Sequence, residues 1–241
     1  MLDPKSLTVI IPAFNEERMV QTALESVFYA VNELGLDYEI LVINDGSSDK
    51  TESLASQWIE QNNVGRARVI TNARNRGLGY SIQEGFKASS KDYAAWFPGD
   101  SSVTRESLIG MWSSIGQADM IIPYMENILQ RPFNRKFLSL TFTRLINVIF
   151  RLNIKYYNGL FIVPTSLVRT FRLSGQGHEI FCELVVRALK SGCSYKEVPF
   201  THRVETERSS KAISMRNVNN IMKVIAILIR DIYITRKPLG T

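Results

Sequence analysis

Two aspartates follow short apolar runs in this chain: Asp45, in Glu39 to Thr51 (EILVINDGSSDKT), and Asp100, in Pro98-Gly99-Asp100. The runs, Ile40 to Ile43 and Tyr93 to Phe97, read as strands buried on both faces, so each acid sits at a strand's carboxyl end. Open α/β sheets bind ligands there. A carboxylate in that place can accept a hydrogen bond from a ring N–H. At Asp100 it can also ligate Mg²⁺ or Mn²⁺, ions that take one or two protein carboxylates and fill their other positions with phosphate oxygens and water. Turn capping by Asp45 and helix capping by Asp100 are the plainer uses of the same residues.

Further candidates lie downstream. Glu179 and Glu183 are one helical turn apart and share a face. His178 adjoins them. Thr201 to Lys211 (THRVETERSSK) supplies Arg203, Arg208 and Lys211, cations that could hold a phosphate, or else a solvated loop. Asn72 to Gly79 is a basic, glycine-containing turn that could bind a phosphate or shape a loop. Gly77-x-Gly79 lacks the third glycine of a dinucleotide fingerprint, with Ile82 in its place, which excludes a nicotinamide site of that kind.

The elements that must position these residues alternate. Strand Leu7 to Ile11 ends at Pro12, and after Ala13-Phe14-Asn15-Glu16-Glu17 a helical pattern runs to about Leu34 and stops at Gly35. Ser47, Ser48 and Asp49 offer caps for a helix over Thr51 to Gln61. Strand Ala67 to Thr71, helix Tyr80 to Ala88, strand Tyr93 to Phe97, helix Thr104 to Ile115 and strand Asp119 to Pro123 follow. Strand Leu160 to Val163, helix Glu179 to Lys190 and strand Lys196 to Phe200 complete the series. This order predicts an α/β fold with a mostly parallel sheet flanked by helices, and it brings Pro12, Phe14, Glu16 and Asp45 to one sheet edge.

A chain of 241 residues, 45% hydrophobic, forms one large or two small domains. We divide it into residues 1–200 and a basic loop with an amphipathic helix over 201–241. The net charge of +6 favours an anionic partner. The aromatics fall in apolar patterns and are not interleaved with bases, which argues against nucleic acid. Two cysteines without metal or redox spacing imply free structural thiols. The N-terminus lacks the layout of a signal peptide, and no apolar run approaches the roughly 20 residues of a spanning helix. Residues 131–155 combine Arg131, Arg135, Lys136, Arg144, Arg151 and Lys155 with twelve large apolar residues and no acid. Such a helix suits a membrane interface, or else packing in a dimer or a core. Val218 to Tyr233 is amphipathic and does not span. The expected location is peripheral, at the cytoplasmic face of a membrane, or otherwise cytoplasmic; the chain is either a peripheral enzyme or part of a longer one.

VIIPAFNEE, INDGSSDKT and ARNRGLGYSIQEGFKAS, followed by an aspartate after the fourth strand, together resemble family 2 of the glycosyltransferases, with the GT-A fold. Within it the chain is similar to polyprenyl-phosphate sugar transferases of the dolichyl-phosphate mannose synthase kind, over about residues 7–211. The resemblance implies that the segments at Pro12, Phe14, Glu16, Ile43 and Asp45 hold the base and ribose of a nucleoside-diphosphate sugar. It implies that Asp100 meets the metal and diphosphate, that an acid near Glu179 and Glu183 serves as base in many members, and that an arginine-containing loop ending at Lys211 meets the leaving group. The family's Asp-x-Asp is reduced here to Pro98-Gly99-Asp100. The implied partners are the nucleotide sugar, a lipid phosphate acceptor, a membrane surface and either a second copy or a membrane subunit.

Two competitors stand beside this reading. One is transfer to a sugar or protein hydroxyl with Glu179 or Glu183 as base. The other is a degenerate, non-catalytic GT-A domain that binds a membrane or a partner. A sugar nucleotidyltransferase is excluded by PAFNEE, where its glycine-rich basic loop would stand.

Overall fold

The structure, a computed structural model, describes residues 5–127, 132–201 and 215–235. The chain runs β1 (Ser6–Ala13), α1 (Val20–Glu33), β2 (Asp37–Asn44), α2 (Thr51–Gln61), β3 (Ala67–Thr71), α3 (Leu78–Ala88), β4 (Tyr93–Trp96), α4 (Arg105–Trp112) and β5 (Met120–Met125). It continues through α5 (Phe133–Phe150), β6 (Ile162–Pro164), α6 (Thr165–Val168), α7 (Glu179–Lys190), β7 (Tyr195–Phe200) and α8 (Met215–Ile229), which ends in a π turn, Arg230–Ile234.

The seven strands form one sheet in the order β3-β2-β1-β4-β6-β5-β7. Strands β1 to β4 are mutually parallel, and β7 is parallel to β5. Only β6 runs against its neighbours. Val9 to Ile11 and Ile40 to Ile43 have no exposed surface, as β-branched runs covered by helices on both faces require. The chain moves outward from β1 through β2 to β3, then returns to the other side of β1 for β4. That reversal opens a crevice at the carboxyl ends of β1 and β4, beside the end of β2.

The β2–α2 junction differs from expectation. Lys50 holds the N-cap position and makes no side-chain cap bond. Ser47 and Asp49 are drawn to the β1–α1 loop instead, where the Ser47 hydroxyl accepts from the Asn15 amide and Asp49 from the Glu17 amide at 3.1 Å. Asp49 also accepts from the Thr51 amide at 3.0 Å. Burial opposes its charge, but these bonds outweigh that and hold its carboxyl below the usual carboxylate range.

Helix α5 turns Ile146 and Phe150 into the core and leaves Phe133, Phe137, Leu138, Leu140, Leu145 and Val148 exposed. Asn147 on its inner side accepts from Tyr157 Oη at 2.7 Å and from the Ile154 amide. Arg144 and Arg151 are exposed on the same helix and at its end. Among the described residues no helix is long and apolar enough to cross a membrane.

Candidate active site

Four loops meet the crevice: 14–19 after β1, 45–50 after β2, 72–77 before α3 and 97–102 after β4. A fifth segment, 174–178, closes on α3 from the side of α7.

Asp45 joins the second and third loops. Its Oδ1 accepts from Asn72 Nδ2 at 2.8 Å and from the Arg76 amide at 3.0 Å; its Oδ2 accepts from the Gly77 amide at 2.8 Å and shares the Arg76 amide at 3.1 Å. The residue is buried. Burial suits a carboxylate held by three donors, because such charge-assisted bonds are stronger than neutral ones. The acid expected to meet a ring N–H therefore already anchors the protein's own loop. Asn72 is the partner that sequence reading missed; its signal was a second amide side chain at the carboxyl end of β3, beside Asn44.

The glycines of the basic turn serve packing. Gly77 has φ +94°, in the left-handed region, and its N–H is taken by Asp45. Gly79 donates to the Gln176 carbonyl at 2.8 Å. A Cβ at Gly79 would lie 2.4 Å from the Gly175 carbonyl oxygen. The phosphate role considered for Gly77 thus gives way to a backbone contact. Arg74 and Arg76 remain exposed at the loop, Arg76 lying over the Tyr80 ring at 3.5 Å.

On the β1 side, Phe14 is 44% exposed at the rim, and the Glu16 amide donates to Thr51 Oγ1 at 2.8 Å. Pro12 is partly exposed beside Ile43 in the ladder. Ile43 itself is wholly buried, two residues before Asp45 at the end of β2.

Asp100 ends the loop after β4, partly exposed, and its Oδ1 accepts from the Ser102 amide at 3.1 Å. It does not cap α4; Thr104 does, accepting from the Ser107 amide. Beside it the Ser101 hydroxyl is buried with no hydrogen-bond partner among the described residues, on a backbone at φ +53°. Among the described residues no cluster of three or more His, Cys, Asp or Glu side chains could hold a metal ion. The set fits an ion that arrives with a diphosphate: one hard carboxylate oxygen, with phosphate and water completing the shell.

Both glutamates considered as bases are engaged. Glu179 Oε1 accepts from the Gln176 and Gly177 amides at 3.0 and 2.9 Å. Glu183 has no exposed surface; it accepts from the Ser174 and Gly175 amides at 2.8 and 3.0 Å and from Arg187. Glu183 is thus removed from any acceptor, which corrects its reading as a base. His178 is exposed and tilts against Phe181. Both thiols are free, and burial pushes that of Cys182 far above its ordinary value. Arg203, Arg208 and Lys211 lie outside the described residues.

The model of the family described as Glycosyl transferase family 2 matches residues 8–174. Dolichyl-phosphate beta-glucosyltransferase of Dictyostelium discoideum is 32% identical over 104 residues, 41% of this chain and 32% of that protein. Dodecaprenyl-phosphate galacturonate synthase of Rhizobium johnstonii is 24% identical over 225 residues, covering 92% of this chain and 66% of its own length. The chain thus spans between about a third and two thirds of the length of these relatives. Glucosyl-3-phosphoglycerate synthase from Mycobacterium tuberculosis, solved in complex with Mg²⁺ and uridine diphosphate, superposes with a TM-score of 0.67 at 13% identity, over 94% of this chain and 79% of that one. The shared architecture is the GT-A fold.

Proposed function

The chain belongs to glycosyl transferase family 2, and from that premise we propose that it moves a sugar from a nucleoside diphosphate to a polyprenyl phosphate, with inversion at the anomeric carbon. The observation that carries the choice of acceptor is the engagement of both glutamates. A hydroxyl must lose a proton as it attacks, which calls for a base. Glu183 is sealed in the core and Glu179 is bound to two amides. A phosphate monoester, with a second pKa of about 6, is already an anionic nucleophile. Its oxygen forms the new bond as the bond to the nucleotide diphosphate breaks, and the diphosphate leaves with the electron pair.

In this reading the donor lies along the Asp45 edge. The Arg76 amide is shared between both Asp45 oxygens, so Oδ2 can accept a ring N–H without stripping the loop of its anchor. Phe14, Pro12 and Glu16 border the base and ribose, and Asp100 faces the diphosphate. Asp100 would hold Mg²⁺ or Mn²⁺, which when bound supplies positive charge to the diphosphate. Arg203 or Arg208, with Lys211, would meet the leaving group.

The exposed apolar residues of α5, flanked by Arg144 and Arg151, suit a peripheral seat on an anionic membrane surface, where the lipid acceptor resides. The test is transfer from UDP-, GDP- and dTDP-sugars to undecaprenyl or dolichyl phosphate, against the corresponding alcohols. Transfer to the phosphate alone, unchanged in Glu179→Gln, supports the reading. Transfer to the alcohol that collapses in Glu179→Gln would overturn it in favour of a hydroxyl acceptor. Absence of nucleotide binding under every condition points to the non-catalytic domain.

A further inference from the structure

Helix α7 carries a buried cation that no step of the proposed transfer uses. Arg187 is 5% exposed and lies between two acids. Its Nε and Nη2 reach Glu183 Oε1 at 3.1 and 3.0 Å, and Nη2 reaches Asp231 Oδ2 at 3.1 Å. Asp231 belongs to the π turn that ends α8, and its other oxygen accepts from Arg230. Burial disfavours the Asp231 charge, but the bonds from Arg230 and Arg187 prevail and keep its carboxyl below the usual carboxylate range.

Each end of this ion triad is tied to something further. Outward, Tyr233 of the π turn donates to the Ile149 carbonyl at 2.8 Å and stacks on Phe150 at 6.3 Å between centroids. Inward, Glu183 accepts from the Ser174 and Gly175 amides and from the Ser174 hydroxyl. The same turn gives its Gln176 carbonyl to the Gly79 amide and its Gly175 carbonyl to Gln83 Nε2. Asp45 holds Gly77 from the opposite side. The entrance to α3 is thus clamped between an acid at the end of β2 and a turn whose own anchor is buried under the C-terminal helix.

We propose that Arg187 and Asp231 are positioning residues, through which the docked π turn Arg230–Ile234 holds the 174–177 turn against the entrance of α3 and so sets one wall of the donor site. The proposal rests on the donor lying along the Asp45 edge. Asp231→Asn takes from Arg187 Nη2 the charged acceptor that ties α7 to the π turn, at a side chain that is only 5% exposed. Neutralising Asp231 therefore loosens Glu183's hold on the Ser174 and Gly175 amides. Opening of a local unit raises exchange only in the amides that it protects.

The experiment is peptide-resolved hydrogen exchange on wild type and Asp231→Asn, followed by calorimetric titration of both with UDP and GDP. Amides in 174–177 and 77–79 are expected to exchange about tenfold faster in the variant, beyond any acceleration that β1 and β2 share with the rest of the fold, and nucleotide affinity falls by a similar factor. Uniform acceleration across all elements, or unchanged rates in 174–177 and 77–79, would show a merely structural ion pair and overturn the proposal. Should Asp231→Asn fail to fold, Arg187→Lys, which keeps the charge but loses the fork between two acids, carries the same comparison. The exchange arm needs no ligand. Local acceleration in a protein whose wild type binds no nucleotide supports the clamp and refutes the donor reading instead.

Discussion

Replacing Gly79 by alanine sets two effects of opposite sign against each other. Gly79 is the second residue of α3, and in an unobstructed helix alanine would gain up to about 1 kcal/mol over glycine. The added Cβ, however, would stand 2.4 Å from the Gly175 oxygen, 2.6 Å from the Gln176 carbonyl carbon and 2.8 Å from the Gln176 Cα. All three are backbone atoms, so no side chain can swing away. Overpacking of this kind costs about 1–3 kcal/mol or more, and separating the chains also weakens the bond from the Gly79 amide to Gln176, at about 1 kcal/mol. The clash prevails, and a net loss of about 1–3 kcal/mol is expected. At roughly 2–4 °C per kcal/mol for a chain of this size, Tm falls by about 2–12 °C. Gly110 in α4 is the control: nothing lies within 4 Å of its Cβ position, so Gly110→Ala should stabilise by up to about 1 kcal/mol. Urea and thermal denaturation of both variants measure the pair. A Gly79→Ala protein that gains stability as Gly110→Ala does would refute the packing of the 174–177 turn on α3.

Asp100→Ala should abolish sugar transfer while the far-UV circular dichroism of the fold is retained; retained turnover would remove Asp100 from the machinery. If Asp100 holds the ion, EDTA should weaken nucleotide binding in wild type by about tenfold or more and leave that of Asp100→Ala unchanged, as titration calorimetry would read. Because Asp231 has a folded pKa below its ordinary 3.8, its contribution to stability is fully present above about pH 5 and is lost as pH falls through the folded value. The stability gap between wild type and Asp231→Asn should therefore be constant from neutrality to about pH 5 and shrink below 3.8; a gap that closes near pH 6–7 would contradict that assignment. Val148 is 71% exposed on α5, so Val148→Glu should leave Tm nearly unchanged and reduce co-sedimentation with anionic phosphatidylglycerol vesicles severalfold. Undiminished sedimentation would place the membrane contact elsewhere.

The sequence by itself determined the elements. β-Branched runs gave β1 and β2, although β1 runs on through Pro12 to Ala13, and the bounds of α2, β3 and α7 agree with those read from pattern alone. It also placed Asp45 and Asp100 at strand ends, because local hydrophobic pattern and turn residues decide where a strand stops. What those residues bond to was decided only by the tertiary structure. Ser47 and Asp49 read as caps, and Asp49 does take the Thr51 amide at the start of α2, yet Ser47 also takes the Asn15 amide and Asp49 the Glu17 amide, each 32 residues away. Asp45 read as a ligand contact, yet its donors come from 27 to 32 residues downstream. Glu179 and Glu183 share a helical face in either view, but only the approach of the 174–177 turn distinguishes a base from an anchor. The antiparallel insertion of β6 between β4 and β5 is likewise invisible in a run as short as Ile162 to Pro164. Spacing along a chain fixes which atoms can donate and accept; the crossovers of the sheet decide which of them meet, and a buried polar group must take the partner that arrives.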